Sequence, residues 1–164
     1  MLTYKYAHLF YIGCSNGHIS VAELANLDDT ALTASSAYSS CLDARYSRLF
    51  STSGKGSWAS LHNSVGQWMQ APLTGVKVIV KVSTQGRYLY QFDRTYYDQY
   101  VTSYKLSTST DGIAFEYILD LDGSPQIFSA NVDNANVVEN AVDFVQTLVV
   151  RLEPLTWYAH ISVR

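Results

Sequence analysis

The fold is decided by the stretch VIVKVSTQG, residues 78–86, in which four valine and isoleucine side chains lead into a Thr-Gln-Gly exit. A short run of β-branched residues is typical of a buried strand. The next segment, RYLYQFD at residues 87–93, is predicted to be a loop, yet it carries large apolar and aromatic side chains. Loops lie at the surface because their backbone polar groups need water, so apolar side chains there are a candidate contact site. The sequence therefore predicts a rigid β scaffold that displays binding loops.

Length and composition limit the classes of protein to consider. The chain has 164 residues, of which 48% are hydrophobic and 15% are charged, and these values suit one globular domain with a sizeable core. The formal net charge of −3 argues against a nucleic-acid partner, which usually requires a basic surface. No apolar run approaches the ~20 residues of a transmembrane helix. Thirteen tyrosines favour strands and recognition surfaces.

The N-terminal segment carries little targeting information. Residues 1–13 contain one lysine and a short apolar patch, without the continuous apolar region of a signal peptide. We expect residues 1–13 to be an N-terminal extension and residues 14–164 to form a single domain.

Short strands separated by turn signals follow one another from residue 32 onward. Asp111-Gly112 and Asp122-Gly123 are hairpin turn signals, and no convincing amphipathic helix occurs. About eight strands with this spacing favour an all-β sandwich or jelly roll. Trp68 is expected to point inward from its strand. The clearest predicted strands are Leu32–Ser36, Gln67–Gln70, Val76–Val82, Tyr100–Ser107, Ile113–Leu121, Gln146–Leu152 and Ile161–Arg164.

The order of these landmarks resembles the discoidin family, also called the coagulation factor V/VIII type C domain. No single piece is specific, but together they follow the family's order along most of the chain. The matching pieces are Leu32–Ser36, Ser47–Leu49, Ser57-Trp58, Gln67–Gln70, Thr84–Gly86, Tyr100–Tyr104, Ser109–Gly112, Phe128–Asn131, Val150–Pro154, Trp157 and Ile161–Arg164.

The resemblance implies a distorted jelly-roll sandwich whose loops at one end form a ligand-binding rim. It also implies an extracellular or cell-surface location, because members of the family are mostly secreted or surface modules that bind phospholipid headgroups, glycans or proteins. The tryptophans Trp58, Trp68 and Trp157 match core tryptophans of the family. Phe115 stands where the family usually has tryptophan, and Ala71–Leu73 departs from its usual sequence.

The cysteines also depart from the family pattern. Cys14 fits the family's first cysteine, but this chain stops at Arg164, without the usual C-terminal glutamate and closing cysteine. In the resembled fold Cys14 and Cys41 lie at opposite poles, and a disulfide needs Cα atoms within about 7 Å of each other. We expect these two cysteines not to be bridged.

Three predicted loops, residues 39–46, 52–58 and 87–97, correspond to the rim and are called the rim loops. Their aromatic side chains could stack on sugar rings while guanidinium groups bind hydroxyls, carboxylates or sulfates. They could equally insert into a bilayer interface beside anionic headgroups, or fold back and cap the end of the sandwich. The predicted ligand-binding residues are Leu42, Arg45, Lys55, Arg87, Tyr88, Leu89, Tyr90, Phe92 and Arg94.

A polar turn precedes the first strand. Asn26, Asp28 and Asp29 could supply oxygen ligands for calcium, as in some discoidin-like lectins, although a plain capped turn is the simpler interpretation. Calcium is the one cofactor that the sequence suggests. The four histidines are scattered, and no residue is set up as a catalytic nucleophile.

The sequence therefore predicts a non-enzymatic cell-surface recognition and adhesion module that binds glycans through the rim loops. Tyrosine richness and the acidic net charge favour glycan over the alternative of anionic phospholipid, since a lipid-binding rim would carry more basic residues. An extracellular protein such as collagen is a third candidate partner.

Overall fold

The computed structural model describes residues 28–87 and 98–164, and this part of the chain is all-β. The prediction of an all-β jelly roll is confirmed. Three short 3-10 helices, Asp29–Ala31, Ser40–Leu42 and Ala44–Tyr46, are the helical elements of the described residues. The described strands are β1 (Thr33–Ala34), β2 (Trp58–Ala59), β3 (Met69–Gln85), β4 (Tyr100–Ser109), β5 (Glu116–Tyr117), β6 (Phe128–Ser129), β7 (Val137–Tyr158) and β8 (Ser162–Val163).

Two long strands, β3 and β7, pair with each other and organise the antiparallel sheet. The order across this sheet is β1-β3-β7-β4-β5, and β6 pairs separately with β4. The N-terminal half of β7 pairs with β3, whereas its C-terminal half pairs with both β3 and β4. Strands β2 and β8 form a second, two-stranded sheet.

Strand β3 joins two segments that the sequence predicted as separate strands. The Ala71–Gly75 segment contains a proline and a glycine, which normally mark the end of a strand. Here the ladder shifts register between Pro72 and Lys77, and Gly75 adopts a φ of 93° that favours glycine. The interruption is therefore a bulge that bends one continuous strand. In contrast, the predicted strand Ile113–Leu121 is reduced to the two residues of β5.

The core lies between the two sheets and is built from large apolar side chains. Trp58 is fully buried, as expected for a core tryptophan, and its indole N–H donates to the Ser36 carbonyl at 2.7 Å. Tyr104 is also fully buried, and desolvation by this burial raises the pKa of its hydroxyl. The other fully buried apolar side chains include Met69, Ile79, Val82, Val101, Leu106, Leu152, Ile161 and Val163.

The expectation that Trp68 points inward is wrong. Met69 is fully buried, so its neighbour Trp68 lies on the opposite face of β3, because successive strand residues alternate between faces. On that face the guanidinium of Arg151 lies between two rings, 4.4 Å from the Trp68 ring centre and 3.6 Å from that of Phe115. Trp157 is only half-buried and packs against the edge of the core.

Both predicted Asp-Gly turns are present. The Asp111 carboxylate accepts hydrogen bonds from the backbone N–H groups of Ile113 at 2.7 Å and Ala114 at 3.0 Å, which hold the pKa of Asp111 below its usual value. Gly112 and Gly123 have φ values of 77° and 81°. Among residues 28–87 and 98–164 no helix is long and apolar enough to cross a membrane.

Candidate functional site

A pocket of about 150 Å³ lies beside the first two rim loops. The end of β3, the start of β4 and the start of β8 border it. We call it the Tyr38 pocket. It contains three of the predicted ligand-binding residues, together with four that the sequence did not single out. Its lining residues are Tyr38, Leu42, Lys55, Ala59, Arg87, Gln99 and His160.

The floor of the pocket is apolar and is supplied by Leu42 and Ala59, both buried. Leu42, a predicted ligand-binding residue of the first rim loop, is buried rather than part of an exposed apolar surface, since only 3% of it is accessible. The 3-10 helix Ser40–Leu42 turns its last side chain toward the core, whereas the preceding Cys41 is exposed with a free thiol. Leu42 therefore belongs to the apolar lining of the pocket and cannot insert into a bilayer without unfolding this turn.

The second rim loop is held against the first by backbone contacts. The Lys55 N–H donates to the Cys41 carbonyl at 2.8 Å. Gly54 has a φ of 60°, and a Cβ at this position would lie 2.7 Å from both the Cys41 carbonyl oxygen and the Tyr46 ring. Only glycine allows this close approach, which places the exposed Lys55 at the edge of the pocket.

Arg87 is fixed by the strand exit that precedes it. Gln85 pairs with Arg164 through two backbone hydrogen bonds of 2.9 and 2.7 Å. A Cβ on Gly86 would lie 2.5 Å from the Asn134 Cα, so a glycine is required at this point. The Arg164 guanidinium in turn donates to the Gly86 carbonyl at 2.5 Å and to the Asn134 carbonyl at 2.8 Å. The Thr-Gln-Gly exit seen in the sequence thus anchors the residue that enters the pocket.

Arg87 itself is almost fully buried, and it is paired with Gln99 across the ends of β3 and β4. The Arg87 backbone N–H donates to the Gln99 carbonyl at 2.9 Å, and Arg87 Nη1 donates to Gln99 Oε1 at 2.7 Å. Ser162 Oγ of β8 also donates to Gln99 Oε1, at 3.1 Å. These bonds hold both side chains in one orientation before any ligand arrives.

Two further lining residues, Tyr38 and His160, are aromatic. Tyr38 is 59% exposed, and its ring meets the His160 imidazole edge to face, with centroids 5.6 Å apart. Its backbone is held by the Tyr38 N–H, which donates to the Ala59 carbonyl at 2.8 Å. An exposed ring with a fixed position is a stacking surface for a flat apolar ligand face.

The remaining predicted ligand-binding residues divide into two groups. Arg45 lies outside the pocket lining, is exposed, and forms an ion pair with Asp43 at 3.1 Å. The third rim loop lies outside the described residues apart from Arg87, so its role in binding stays a prediction. The predicted residues that fall there are Tyr88, Leu89, Tyr90, Phe92 and Arg94.

The predicted calcium site falls partly outside the described residues, because Asn26 is not among them. Cys14, which was considered as a partner of Cys41, lies outside them as well. Asp28 caps a turn: one carboxylate oxygen accepts from the Thr30 N–H at 2.9 Å, and this bond is the main cause that holds the pKa of Asp28 below its usual value. Within the part of the chain that the structure describes, no group of three or more His, Cys, Asp or Glu side chains could hold a metal ion.

Sequence reasoning missed Tyr38, Ala59, Gln99 and His160. The first two lie just outside the predicted rim loops, and the last two come from distant parts of the chain. Pairing of β2 with β8 brings Ala59 close to the segment that holds His160, and both strands have only two residues. Gln99 enters the pocket beside Arg87, whose backbone N–H donates to the Gln99 carbonyl. Gln99 could have been identified from the sequence by its position just after the third rim loop, which begins at Arg87.

Comparison with known proteins places this fold in a family. The family model for the F5/8 type C domain matches residues 31–164. Hemocytin from Bombyx mori is 37% identical over 142 residues, covering 84% of this chain and 4% of hemocytin. Lactadherin from Rattus norvegicus is 28% identical over 145 residues, covering 84% of this chain and 33% of lactadherin. The chain thus spans a minor part of the length of these relatives.

Solved structures agree with the family assignment. The wild-type discoidin II structure from Dictyostelium discoideum superposes with a TM-score of 0.75 at 27% identity, covering 93% of this chain and 58% of that one. These similarities support a binding or adhesion module. With residues 31–164 matched by the family model and the fold shared, the chain belongs to the F5/8 type C domain family, also known as the discoidin family.

Proposed function

We propose that this chain is a non-enzymatic recognition and adhesion module of the extracellular space or cell surface, and that it binds glycans in the Tyr38 pocket. The observation that carries the proposal is that an exposed aromatic ring and fixed hydrogen-bonding groups line the same small cavity. Tyr38 offers a stacking face, and Arg87 and Gln99, held together by a hydrogen bond of 2.7 Å, line the same pocket. Sugars present an apolar ring face and polar hydroxyls at the edge, which is the pattern that these walls complement.

The size and lining of the site support a saccharide ligand. A cavity of about 150 Å³ suits one sugar ring rather than a long apolar molecule. Leu42 and Ala59 give this lining an apolar part, and polar side chains complete it. As part of this proposal, residues 14–164 form one domain.

The alternative of anionic phospholipid receives less support from the described rim. Membrane-binding rims expose apolar side chains at their tips, and Leu42 is buried instead. The contribution of Leu89 and Phe92, which lie outside the described residues, stays a prediction.

The experiment that tests this proposal is a glycan array run beside phosphatidylserine liposome binding, each with and without calcium. We expect binding to a defined set of glycans and weak, salt-sensitive binding to liposomes. Liposome binding without any glycan binding would overturn the proposal in favour of the lipid alternative. Collagen binding in the absence of both would support the protein-ligand alternative.

A further inference from the structure

A hairpin at the edge of the large sheet, residues 117–127, forms a second exposed surface, which we call the Leu121 hairpin. Its first arm continues from β5 and its second arm leads into β6, and both of these strands pair with β4. The Gln126 N–H donates to the Ile118 carbonyl at 2.8 Å, and Leu119 forms a β-bridge with Pro125. These contacts fix the two arms relative to each other. The lining of the Tyr38 pocket comes from other segments of the chain.

One face of the Leu121 hairpin is apolar and exposed. Alternate residues of a strand share a face, and the bridge between Leu119 and Pro125 sets these two residues opposite each other. Ile118, which points to the other face, is buried in the core, so the face of Leu119 is turned away from the core. Leu119 is 56% exposed and Ile127 is 65% exposed. The residues that share this outward face are Tyr117, Leu119, Pro125 and Ile127.

The turn of the hairpin displays a further apolar side chain. Leu121 is fully exposed. The Asp120 N–H donates to the Ser124 carbonyl at 2.8 Å, and the Gly123 N–H donates to the Asp120 carbonyl at 2.9 Å. The Asp122 carboxylate accepts from the Ser124 N–H at 2.8 Å and from its hydroxyl at 2.6 Å. The polar residues close the turn, and Leu121 is left as a side chain held at the surface, where an apolar group marks a candidate contact.

The charges around this apolar face all have one sign along a long part of the chain. Asp120 and Asp122 flank Leu121, and Glu116 lies at the base of the hairpin. The chain has 11 lysines and arginines, and all of them lie outside residues 106–150, as do the four histidines. The same stretch holds half of the 14 acidic residues, namely Asp111, Glu116, Asp120, Asp122, Asp133, Glu139 and Asp143.

Lysine 105, which directly precedes this stretch, is engaged at the base of the hairpin. Its ammonium lies 4.2 Å from the centre of the Tyr117 ring, and the Tyr117 hydroxyl donates to Glu153 at 2.7 Å. Lys105 and Glu153 are also paired across β4 and β7. The one cation beside the hairpin base is thus accompanied by a carboxylate, and the apolar face keeps its acidic border.

We propose that the Leu121 hairpin is a docking site for a protein segment that carries lysine or arginine beside apolar side chains. Burial of the leucine and isoleucine side chains supplies the attraction, and pairing of basic residues with Asp120 and Asp122 sets the orientation of the partner. An anionic membrane surface would be repelled by the same carboxylates. Because this surface is separate from the Tyr38 pocket, the module can hold a protein partner and a saccharide at the same time.

The test uses three short synthetic peptides of equal length, in which lysine alternates with leucine, lysine with serine, or glutamate with leucine. Fluorescence anisotropy of the labelled peptides measures their binding to the intact chain. We expect the lysine–leucine peptide to bind about tenfold or more tightly than either of the others, since only this peptide matches both the charge and the apolar face. Equal binding of the lysine–leucine and lysine–serine peptides would overturn the inference, because charge alone would then explain it.

Two matched variant pairs localise the contact. The double variant Leu119→Ser, Leu121→Ser should lose most of its affinity for the lysine–leucine peptide. Leu61→Ser combined with Val65→Ser removes two other exposed apolar side chains, 51% and 64% accessible, and should bind as the wild type does. Equal losses in the two double variants would overturn the inference.

The second pair tests the carboxylates. Asp122→Asn keeps an acceptor for Ser124 and should weaken the lysine–leucine peptide severalfold, whereas Asp143→Asn removes the same charge from β7 and should have little effect. At about 1 M salt, where the Debye length is about 3 Å, the Asp122→Asn variant should match the wild type. If both asparagine variants weaken binding equally, net charge is responsible and the inference fails.

Three further measurements distinguish other occupants of the same surface. Sedimentation of the wild-type chain should show no self-association that Leu119→Ser, Leu121→Ser abolishes; such self-association would assign the surface to a second copy of the chain. Binding to phosphatidylserine vesicles that this double variant abolishes would assign it to a membrane. Loss of saccharide binding in the double variant would make the hairpin part of the glycan site. Each of these three results would overturn the inference, and unchanged saccharide binding is the result we expect.

Discussion

The Tyr38 ring meets the His160 imidazole edge to face, with their centroids 5.6 Å apart and their planes at 85°. Tyr38 precedes the first rim loop, and His160 lies between β7 and β8, so the contact joins two distant parts of the chain. An aromatic pair of this geometry contributes about 0.5–1.5 kcal/mol beyond its buried area. The contact keeps a largely exposed ring in one place at the mouth of the pocket.

Replacing Tyr38 by alanine should weaken saccharide binding about tenfold, because the stacking face is lost, while Tyr38→Phe should retain most of the affinity. A loss of this size corresponds to about 1.4 kcal/mol. Isothermal titration with the strongest saccharide from the array measures it. The control is Phe144→Ala, which removes another exposed ring, 70% accessible and outside the pocket lining, and should leave affinity unchanged. Unchanged binding by Tyr38→Ala would show that the ring is not a contact.

Replacing Gln99 by glutamate tests the donor character of the pocket. The substitution keeps the shape and can still accept from Arg87 and Ser162, but it exchanges the free NH₂ donor for negative charge. We expect affinity for the strongest saccharide from the array to fall severalfold, since an intermolecular hydrogen bond contributes about 0.5–1.5 kcal/mol and the variant has lost the amide donor. The thermal midpoint should not fall, because the carboxylate lies beside the Arg87 guanidinium. Full affinity for the saccharide in this variant would show that the Gln99 amide does not donate to the ligand.

Leu42 and Leu121 form a matched pair for the question of apolar insertion. Leu42→Ser removes a buried side chain and should lower the free energy of unfolding by about 2–5 kcal/mol. Leu121 is fully exposed in the turn after β5, so Leu121→Ser should change it by less than about 0.5 kcal/mol. Urea unfolding of both variants measures the difference. If Leu42→Ser is as stable as Leu121→Ser, the side chain is not part of the core.

Arg151 should stabilise the outer face of the sheet through its two ring contacts and its two hydrogen bonds to Gln70 Oε1, at 3.0 and 2.8 Å. Arg151→Met keeps much of the side-chain volume and removes these interactions, so we expect a loss of about 1–3 kcal/mol in the free energy of unfolding. Lys105→Met, which removes a single cation–ring contact of 4.2 Å with Tyr117, should cost less. Equal losses would mean that the double stacking of Arg151 adds nothing.

The strand content could be predicted from the sequence because β-branched runs and Asp-Gly turns are local signals. The face of the sheet to which each side chain points could not be predicted, and Trp68 shows why. A strand displaced by one residue turns every side chain to the other face, and the sequence around residue 68 offers an aromatic and an apolar candidate side by side. Met69 is buried in the core, while the Trp68 ring contacts the guanidinium of Arg151, which lies 83 positions later in the chain.

The candidate site was predicted only in part for the same physical reason. Arg87 and Lys55 lie in segments whose loop character is visible locally. His160 enters the pocket through the pairing of β2 with β8, two strands of two residues each, which leaves almost no local pattern. Gln99 is placed by its hydrogen bonds to Arg87 and Ser162, which no local pattern reveals. Leu42 was misplaced because a loop was assumed to expose its apolar residues, whereas a 3-10 turn directs this one inward.

The most direct test of the account is a solution titration followed by the backbone amide resonances of the labelled domain, using the strongest saccharide from the array. The account predicts that the amides of Tyr38, Lys55, Gln99 and His160 shift together with one dissociation constant, and that those of the turn at Leu121 do not. Shifts that cluster at another surface, with these four amides unmoved, would contradict the assignment of the Tyr38 pocket as the binding site.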